Sequence, residues 1–511
     1  MNKRKSFFQL NIRLWVFWPP FLLLIVAVFL SLSFPDFFIT SLESIQRFLL
    51  INFSLGFSWV SFGMTILGLI IFLSPLGKRR IGGKNAKPRL NKLSWFAIVL
   101  CTTIAVGILF WGSAEPLSHF IYPPDFLKNT SLSPDALKFS LGALFFHWGF
   151  TPYAIYIIPA LSFGLFYYQG KNIPSISLAA RPILGLKPKK NWENIIDSIS
   201  LFSLVAGMAG SLGAGILSLT GGFLRFYPEW DMGLSSGIIT LTILLTFIIS
   251  SSTGIEKGIK NLSLFNLFFF LLIAFLFVLV GEKSKIIDSI LTGFMEYGRN
   301  FIDLSLQLSG KGNAWTYDWS IFNFAIWMAW APVTALFLGK IALGRTVREF
   351  LIFNWFLPAI FCLLWMGIFG GTTLDLAILK PEFYKNLFET SGPESIIYQV
   401  FEDLGYFKLF ARLFILAIFI SYVTAADSST DALASLSMKK IGKDPFQSDT
   451  NLKIIWGTLI AFLAWIMVIF SGIDGVRILS VIGGVPALFY LILVSISLVM
   501  VLINPSNYLK N

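Results

Sequence analysis

Runs of apolar residues long enough to cross a bilayer recur along the whole chain, and no other feature limits its fold as severely. About 20 helical residues span ~30 Å of hydrocarbon. Such runs lie near residues 12–34, 48–74, 94–113, 137–167, 195–220, 234–252, 262–281, 319–343, 351–370, 408–437, 453–471 and 476–503. A bilayer core offers no water to an unpaired peptide group, so these runs must be helices. The 511 residues are 56% hydrophobic and only 13% charged, with a mean hydropathy of +0.76, which leaves no room for a soluble domain of ordinary size. The expected fold is an all-α polytopic membrane protein: one domain, residues 1–511, of twelve transmembrane helices. The first run contains Pro19 and Pro20 and lacks a small-residue cleavage site, so it reads as a retained helix rather than a signal peptide.

The net charge of +12 could point to nucleic acid, but the basic residues gather in alternate short loops. Lys3, Arg4, Lys5 and Arg13 precede the first span, and Lys78, Arg79, Arg80, Lys84, Lys87, Arg89 and Lys92 follow the second. The pattern continues two spans at a time through Lys187 and Lys190, Lys257 and Lys260, Arg345 and Arg348, and Lys439 to Lys453. The positive-inside rule then puts both termini in the cytoplasm and the protein in the plasma membrane, in a bacterium the cytoplasmic membrane. Cys101 and Cys362 both lie in apolar segments and suggest neither a disulfide nor a metal site. Between spans seven and eight, residues 286–306 repeat apolar side chains at helical spacing, as in Ile286, Ile290, Phe294 and Ile302, with Lys285, Asp288, Glu296 and Arg299 between them. This reads as an amphipathic helix, lying either in the membrane interface or against the bundle.

The fourth span holds the stretch "HWGFTPYAIY" from His147, and the eighth holds "AIWMAWAP" from Ala325. Trp148, Tyr153 and Tyr156 on one helix, and Trp327 and Trp330 on the other, fall toward mid-span beside Pro152 and Pro332. Taken singly, each ring is an interface anchor or a packing residue. Together, away from the interface and beside helix-breaking prolines, they suit a cage for a cation without hydrogen-bond donors, each ring face contributing about 0.5–2 kcal/mol. Quaternary ammonium is the ligand class this chemistry implies.

The stretch "SPLGKRRIGGKNAKPRLNKLSWFAIVL" from Ser74, "FWGSAEPLSHF" from Phe110, "RPILG" from Arg181 and "GIEKGIKNLSLFN" from Gly254 resemble the betaine/choline/carnitine transporter family. So do "AWAPVTALFLGKIALGRTVREF" from Ala329, "LWMGIFGGT" from Leu364 and "VTAADSST" from Val423. The resemblance covers almost the whole chain after the first helix. It implies two N-terminal helices (12–74), then two inverted five-helix repeats (94–281 and 319–503), often as a homotrimer. It also implies symport or exchange of glycine betaine, choline, carnitine or a relative by alternating access, with substrate near the midplane where broken helices of the repeats face each other.

By position, the family's aromatic box resembles Trp148, Tyr153 and Tyr156 with Trp327 and Trp330. Ile326 and Val333 stand where the family usually has aromatic rings, which makes one wall aliphatic. The family's glycine-rich run in the third helix corresponds to Thr103, Ile104, Ala105, Val106 and Gly107, whose β-branched residues lead us to expect a more regular helix. Sodium-driven members place adjacent threonine and serine hydroxyls of the tenth helix opposite carbonyls of the third. This chain has Thr424 followed by Ala425, so the ion-coupling candidates are Thr424 and Ser428 with Cys101 and Ile104 on the third helix; sodium is the candidate coupling ion and no other cofactor is implied.

Glu115, Lys340, Arg412, Asp427 and Asp431 are charged residues in apolar stretches and therefore candidates for function as well as for buried pairing. His147 is either a protonation site or a hydrogen-bonded packing residue. "SLGAGILSLTGG", residues 211–222, has the small-residue spacing of close helix packing. Two histidines and two cysteines without ligand spacing give no catalytic constellation, so an enzyme is not expected. No filter motif suggests a channel and no phosphate loop suggests nucleotide drive. A sensor built on the same scaffold, or a carrier of a different organic solute, remains the alternative. The brief tails lead us to expect transport that does not respond to osmolality.

Overall fold

The computed structural model of the chain describes residues 12–103, 105–128, 130–169, 175–185, 190–251, 260–439 and 448–509. Among the described residues, 11 helices are long and apolar enough to cross a membrane, and 12 if the bent pair Lys92–Thr103 and Gly107–Ile121 is one span. They follow the expected order. The second, Pro35–Leu73, begins well before the apolar run, because Pro35 presets the first helical dihedral and the polar turns around Glu43 and Arg47 continue the helix. The exposed apolar side chains of the first two spans, Trp15, Leu22, Phe29, Phe48 and Leu73 among them, form part of a lipid-facing belt.

The third span departs from the expectation of a regular helix. Its halves meet at 52°, with residue 104 at the junction outside the described residues. Tertiary packing accounts for the departure: Lys92–Thr103 packs on the seventh span, Lys260–Val280, whereas the second half packs between the fourth and ninth spans. Two different partners pull the halves apart more strongly than β-branched side chains hold them straight.

Burial ranks the spans. In the fourth (Pro134–Tyr167), eighth (Thr316–Ile341) and fifth (Lys190–Phe226), 94%, 89% and 83% of the apolar window lies inside the bundle, against 28% in the first and 28% in the sixth, Met232–Ser250. The fourth and eighth cross backbone to backbone: a Cβ on Gly339 would stand 2.9 Å from the Ala160 carbonyl oxygen and 3.1 Å from the Gly164 nitrogen. Two of these three central spans are also irregular. Gly149 (φ −90°, ψ −138°) divides the fourth into Pro134–Trp148 and Phe150–Tyr167. The eighth starts with a π-helical turn, Thr316–Ile321, and contains Pro332. The last two spans, Thr450–Gly475 and Arg477–Ile503, are separated at Gly472, whose φ of 52° favours glycine.

The amphipathic helix is Lys283–Leu306. Its Gly293 lies against the Phe145 ring, and Ile286, Ser289 and Tyr297 are buried, while Ile287, Leu291 and Met295 face outward. It therefore packs on the bundle and keeps a second apolar face free for lipid. At one end of the bundle the basic loops bind structure: Arg13 Nη1 lies 2.6 Å from Asp197 Oδ2, Arg345 donates to the Leu90 carbonyl (2.6 Å) and Arg348 to that of Phe72 (3.0 Å).

Candidate functional site

The break at Gly149 leaves Trp148 at the end of a half-helix, turned toward the third and eighth spans. A cavity of about 70 Å³ opens there. Trp148, Tyr156, Trp327, Trp330 and Ile326 line it, together with Thr102, Thr103, Gly107 and Trp111 of the third span. Gly210, Ser211 and Ala214 of the fifth span, Phe322 of the eighth and Arg477 of the twelfth complete the wall. Trp327 is central: its ring centroid is 5.9 Å from Trp148, 5.3 Å from Tyr153 and 4.6 Å from Tyr156. Trp330 donates its indole N–H to the Gly207 carbonyl of the fifth span (3.1 Å). Gly107 is required by this packing, because a Cβ there would stand 2.5 Å from Trp148 Cη2.

Four of the five expected rings thus share one cavity. Tyr153 is fully buried behind it and buttresses Trp327 edge-on. Val333 is also buried and does not border the cavity, so the aliphatic wall is Ile326 alone. Phe322, Ile326 and Trp330 follow one another at four-residue spacing, a stripe that the sequence displays but that was not singled out. Ser211 and Ala214, which belong to the small-residue stretch 211–222, also face the cavity. Nothing in the sequence brings Arg477 to this place; the folded contact between the twelfth and eighth spans does.

A carboxylate holds Trp148. Its indole N–H donates to Glu115 Oε2 (2.8 Å), while His147 Nδ1 lies 2.7 Å from Glu115 Oε1 and His147 Nε2 lies 3.0 Å from Ser320 Oγ. Trp315 donates to His119 Nδ1 (3.1 Å), and His119 Nε2 stands 3.5 Å from Glu115 Oε1. Glu115, His119 and His147 have the spacing of a metal site, three ligand atoms within 4.8 Å of one another. The proton inventory fits a metal poorly. An indole N–H can only donate, so His119 Nδ1 accepts and its ring proton sits on Nε2, aimed at the carboxylate. His147 likewise presents Nδ1–H to Glu115. The cluster is a set of N–H donors around one buried carboxylate, tying the third, fourth and eighth spans together.

The ion-coupling candidates are differently placed. Thr424 Oγ1 donates to the Ile420 carbonyl (2.8 Å) and Ser428 Oγ to that of Ala425 (3.0 Å), both within the tenth span, Phe407–Ser437. Cys101 Sγ lies 3.5 Å from the Ser263 carbonyl and 3.6 Å from Asn266 Nδ2, which also donates to Ser421 Oγ (2.8 Å). Ile104 lies outside the described residues. Of the charged candidates, Asp427 accepts from Ser250 (2.7 Å), Asp431 pairs with Lys453 (3.1 Å), and Lys340 donates to Ser435 (3.1 Å). Arg412 is exposed, its guanidinium 6.0 Å from the Phe226 ring centre.

With this geometry in hand, comparison with known proteins is decisive. The model of the betaine/carnitine/choline family of transporters matches residues 15–507. The chain belongs to that family. Family members are transporters and not enzymes, and the protein is an integral membrane secondary transporter. Over 94% of its length it is 29% identical to an ectoine/hydroxyectoine transporter of Virgibacillus pantothenticus, covering 95% of that protein. It is 28% identical to a glycine betaine transporter of Bacillus subtilis over 94% of this chain and 93% of the relative. An osmo-independent choline transporter of Acinetobacter baylyi is 25% identical over 95% of this chain and 92% of the relative.

Proposed function

We propose that the protein moves a betaine-, choline- or ectoine-type solute across the membrane by alternating access. In this reading the cationic end of the solute lies against Trp148, Tyr156, Trp327 and Trp330, with Tyr153 supporting Trp327. The convergence of rings from two buried spans, one of them broken at Gly149, on one cavity carries the reading. Ring faces attract a cation that cannot donate hydrogen bonds, at about 0.5–2 kcal/mol each, and the breaks at Gly149 and in the third span suit a midplane site between two inverted repeats. The names of the three relatives supply the solute class. The basic loops around Arg13, Arg345 and Arg348 face the cytoplasm, with both termini.

Sodium drives the movement in this proposal. The Thr424 and Ser428 hydroxyls give their protons to carbonyls of their own helix, which leaves oxygen lone pairs for a hard cation. The test is binding and counterflow of radiolabelled glycine betaine, ectoine and choline with purified, reconstituted protein, with and without sodium. Saturable counterflow of at least one solute, lost in Trp327→Ala, supports the reading. Binding without counterflow would make the protein a sensor, and neither binding nor counterflow would end the proposal.

A further inference from the structure

Among the described residues, Arg477 is the one charged side chain lining the aromatic cavity. Its guanidinium carbon lies 4.6 Å from the Phe322 ring centre and 5.2 Å from that of Trp319, so two rings hold the plane in place. Trp319 in turn packs edge-on against Trp111, another cavity residue, at 5.7 Å. Of the five N–H donors of a guanidinium, one, on Nη2, meets a protein acceptor among the described residues, the backbone carbonyl of Asp318. The carboxylates of Asp318, Asp474 and Glu115 reach it through their fields. None of them lies within ion-pair distance among the described residues. An arginine that is held by rings, faces a cavity and lacks a carboxylate partner is arranged to receive one.

A buried negative charge stands beside the cavity as well, at Glu115. Glu115 accepts from the indole N–H of Trp148 (2.8 Å), which places a buried negative charge at the N–H edge of a ring that lines the cavity. That charge enriches the π face toward a cation. The cavity therefore has a negative charge at the N–H edge of Trp148 and a positive one at Arg477 in its wall. We propose that Arg477 is a specificity-determining residue that binds the carboxylate of the solute, so that the site selects a zwitterion with a cationic and a carboxylate end over a simple cation such as choline. Planar, paired donation suits a carboxylate, and the same positive charge repels a ligand that has a cation alone.

The inference rests on the aromatic cavity being the solute site. It is tested by equilibrium binding of glycine betaine, ectoine and choline to wild type, Arg477→Gln, Arg477→Lys and Trp327→Ala. The ratio of betaine to choline affinity within each variant is independent of the fraction of active protein. In wild type that ratio should be at least about 30-fold in favour of the zwitterion. A charge-assisted hydrogen bond contributes about 1.5–3 kcal/mol, so Arg477→Gln should reduce the ratio at least about tenfold, by weakening glycine betaine and sparing or strengthening choline. Arg477→Lys should retain part of the preference. Trp327→Ala should weaken both ligands together. An unchanged ratio in Arg477→Gln, or a wild type that prefers choline, overturns the inference while ligand loss in Trp327→Ala leaves the cavity reading standing. A wild type that binds none of the three overturns both.

Discussion

Around the aromatic cavity and at three hydroxyls of the tenth span, Thr424, Ser428 and Thr430, polar groups in apolar surroundings are satisfied in opposite ways. Around the cavity the bonds run between spans: Trp148 to Glu115, His147 to Ser320, Trp315 to His119, Trp330 to Gly207. In the tenth span Thr424, Ser428 and Thr430 return their protons to carbonyls three or four residues back in the same helix. Removing a partner in the first region strands a buried donor on another helix, at about 1–3 kcal/mol each. Removing a hydroxyl in the second strands nothing. One region should therefore couple binding to stability, and the other should tune binding without disturbing the fold.

The strongest attack on this contrast is Trp327→Ala. Its ring touches three other aromatics, and its loss should weaken glycine betaine binding about 30-fold or more in an equilibrium binding assay. Glu115→Leu comes next. It keeps the bulk but strands the donors of Trp148 and His147, so thermal unfolding in detergent should shift down by several degrees and binding should weaken about tenfold. An unshifted midpoint would show that the network does not hold the spans. Thr424→Ala sharpens the other side: sodium stimulation of binding should fall about threefold while the unfolding midpoint stays within a degree of wild type. If it destabilises as much as Glu115→Leu, the contrast is wrong.

The smallest effect expected is from pH, at Glu394 in the turn between the ninth and tenth spans, whose carboxyl is raised to about 7 by burial against the fifth span. An acid whose folded value lies above its unfolded value favours the folded state while both states are protonated. Stability from this group is therefore fully present below about 4.5 and is lost as pH rises to about 7. Glu394→Gln should flatten that slope in a pH series of melting curves.

The twelve spans and the amphipathic helix were legible because hydropathy and helical period are local properties of the chain. The rings that line the cavity were legible as pairs, since helical spacing puts Trp327 and Trp330 near one face. Tyr153 could not be told from a lining residue, because whether a ring borders a cavity or supports another ring depends on a neighbouring helix. The bend in the third span was misjudged for the same kind of reason: β-branched residues describe local stiffness, while two packing partners determine direction. Arg477 stands at the start of the twelfth span, and nothing local shows that it borders the cavity until that span is laid against the eighth. The Glu115 network required three spans at once, although the sequence did mark Glu115 and His147 individually as out of place in hydrocarbon.

The glycine contact between the fourth and eighth spans has a mechanical consequence. Tyr156 lies eight residues before Gly164 and Trp330 nine before Gly339, so both ring-bearing segments stand about 12–14 Å from the same contact at 1.5 Å per residue. With backbone on backbone at that point, neither helix can approach closer, and the Phe163 ring lies against the bare face of Gly339. The contact is a fulcrum with two nearly equal arms, and a swing that parts the rings on one side of it must draw the opposite ends of the same two helices together.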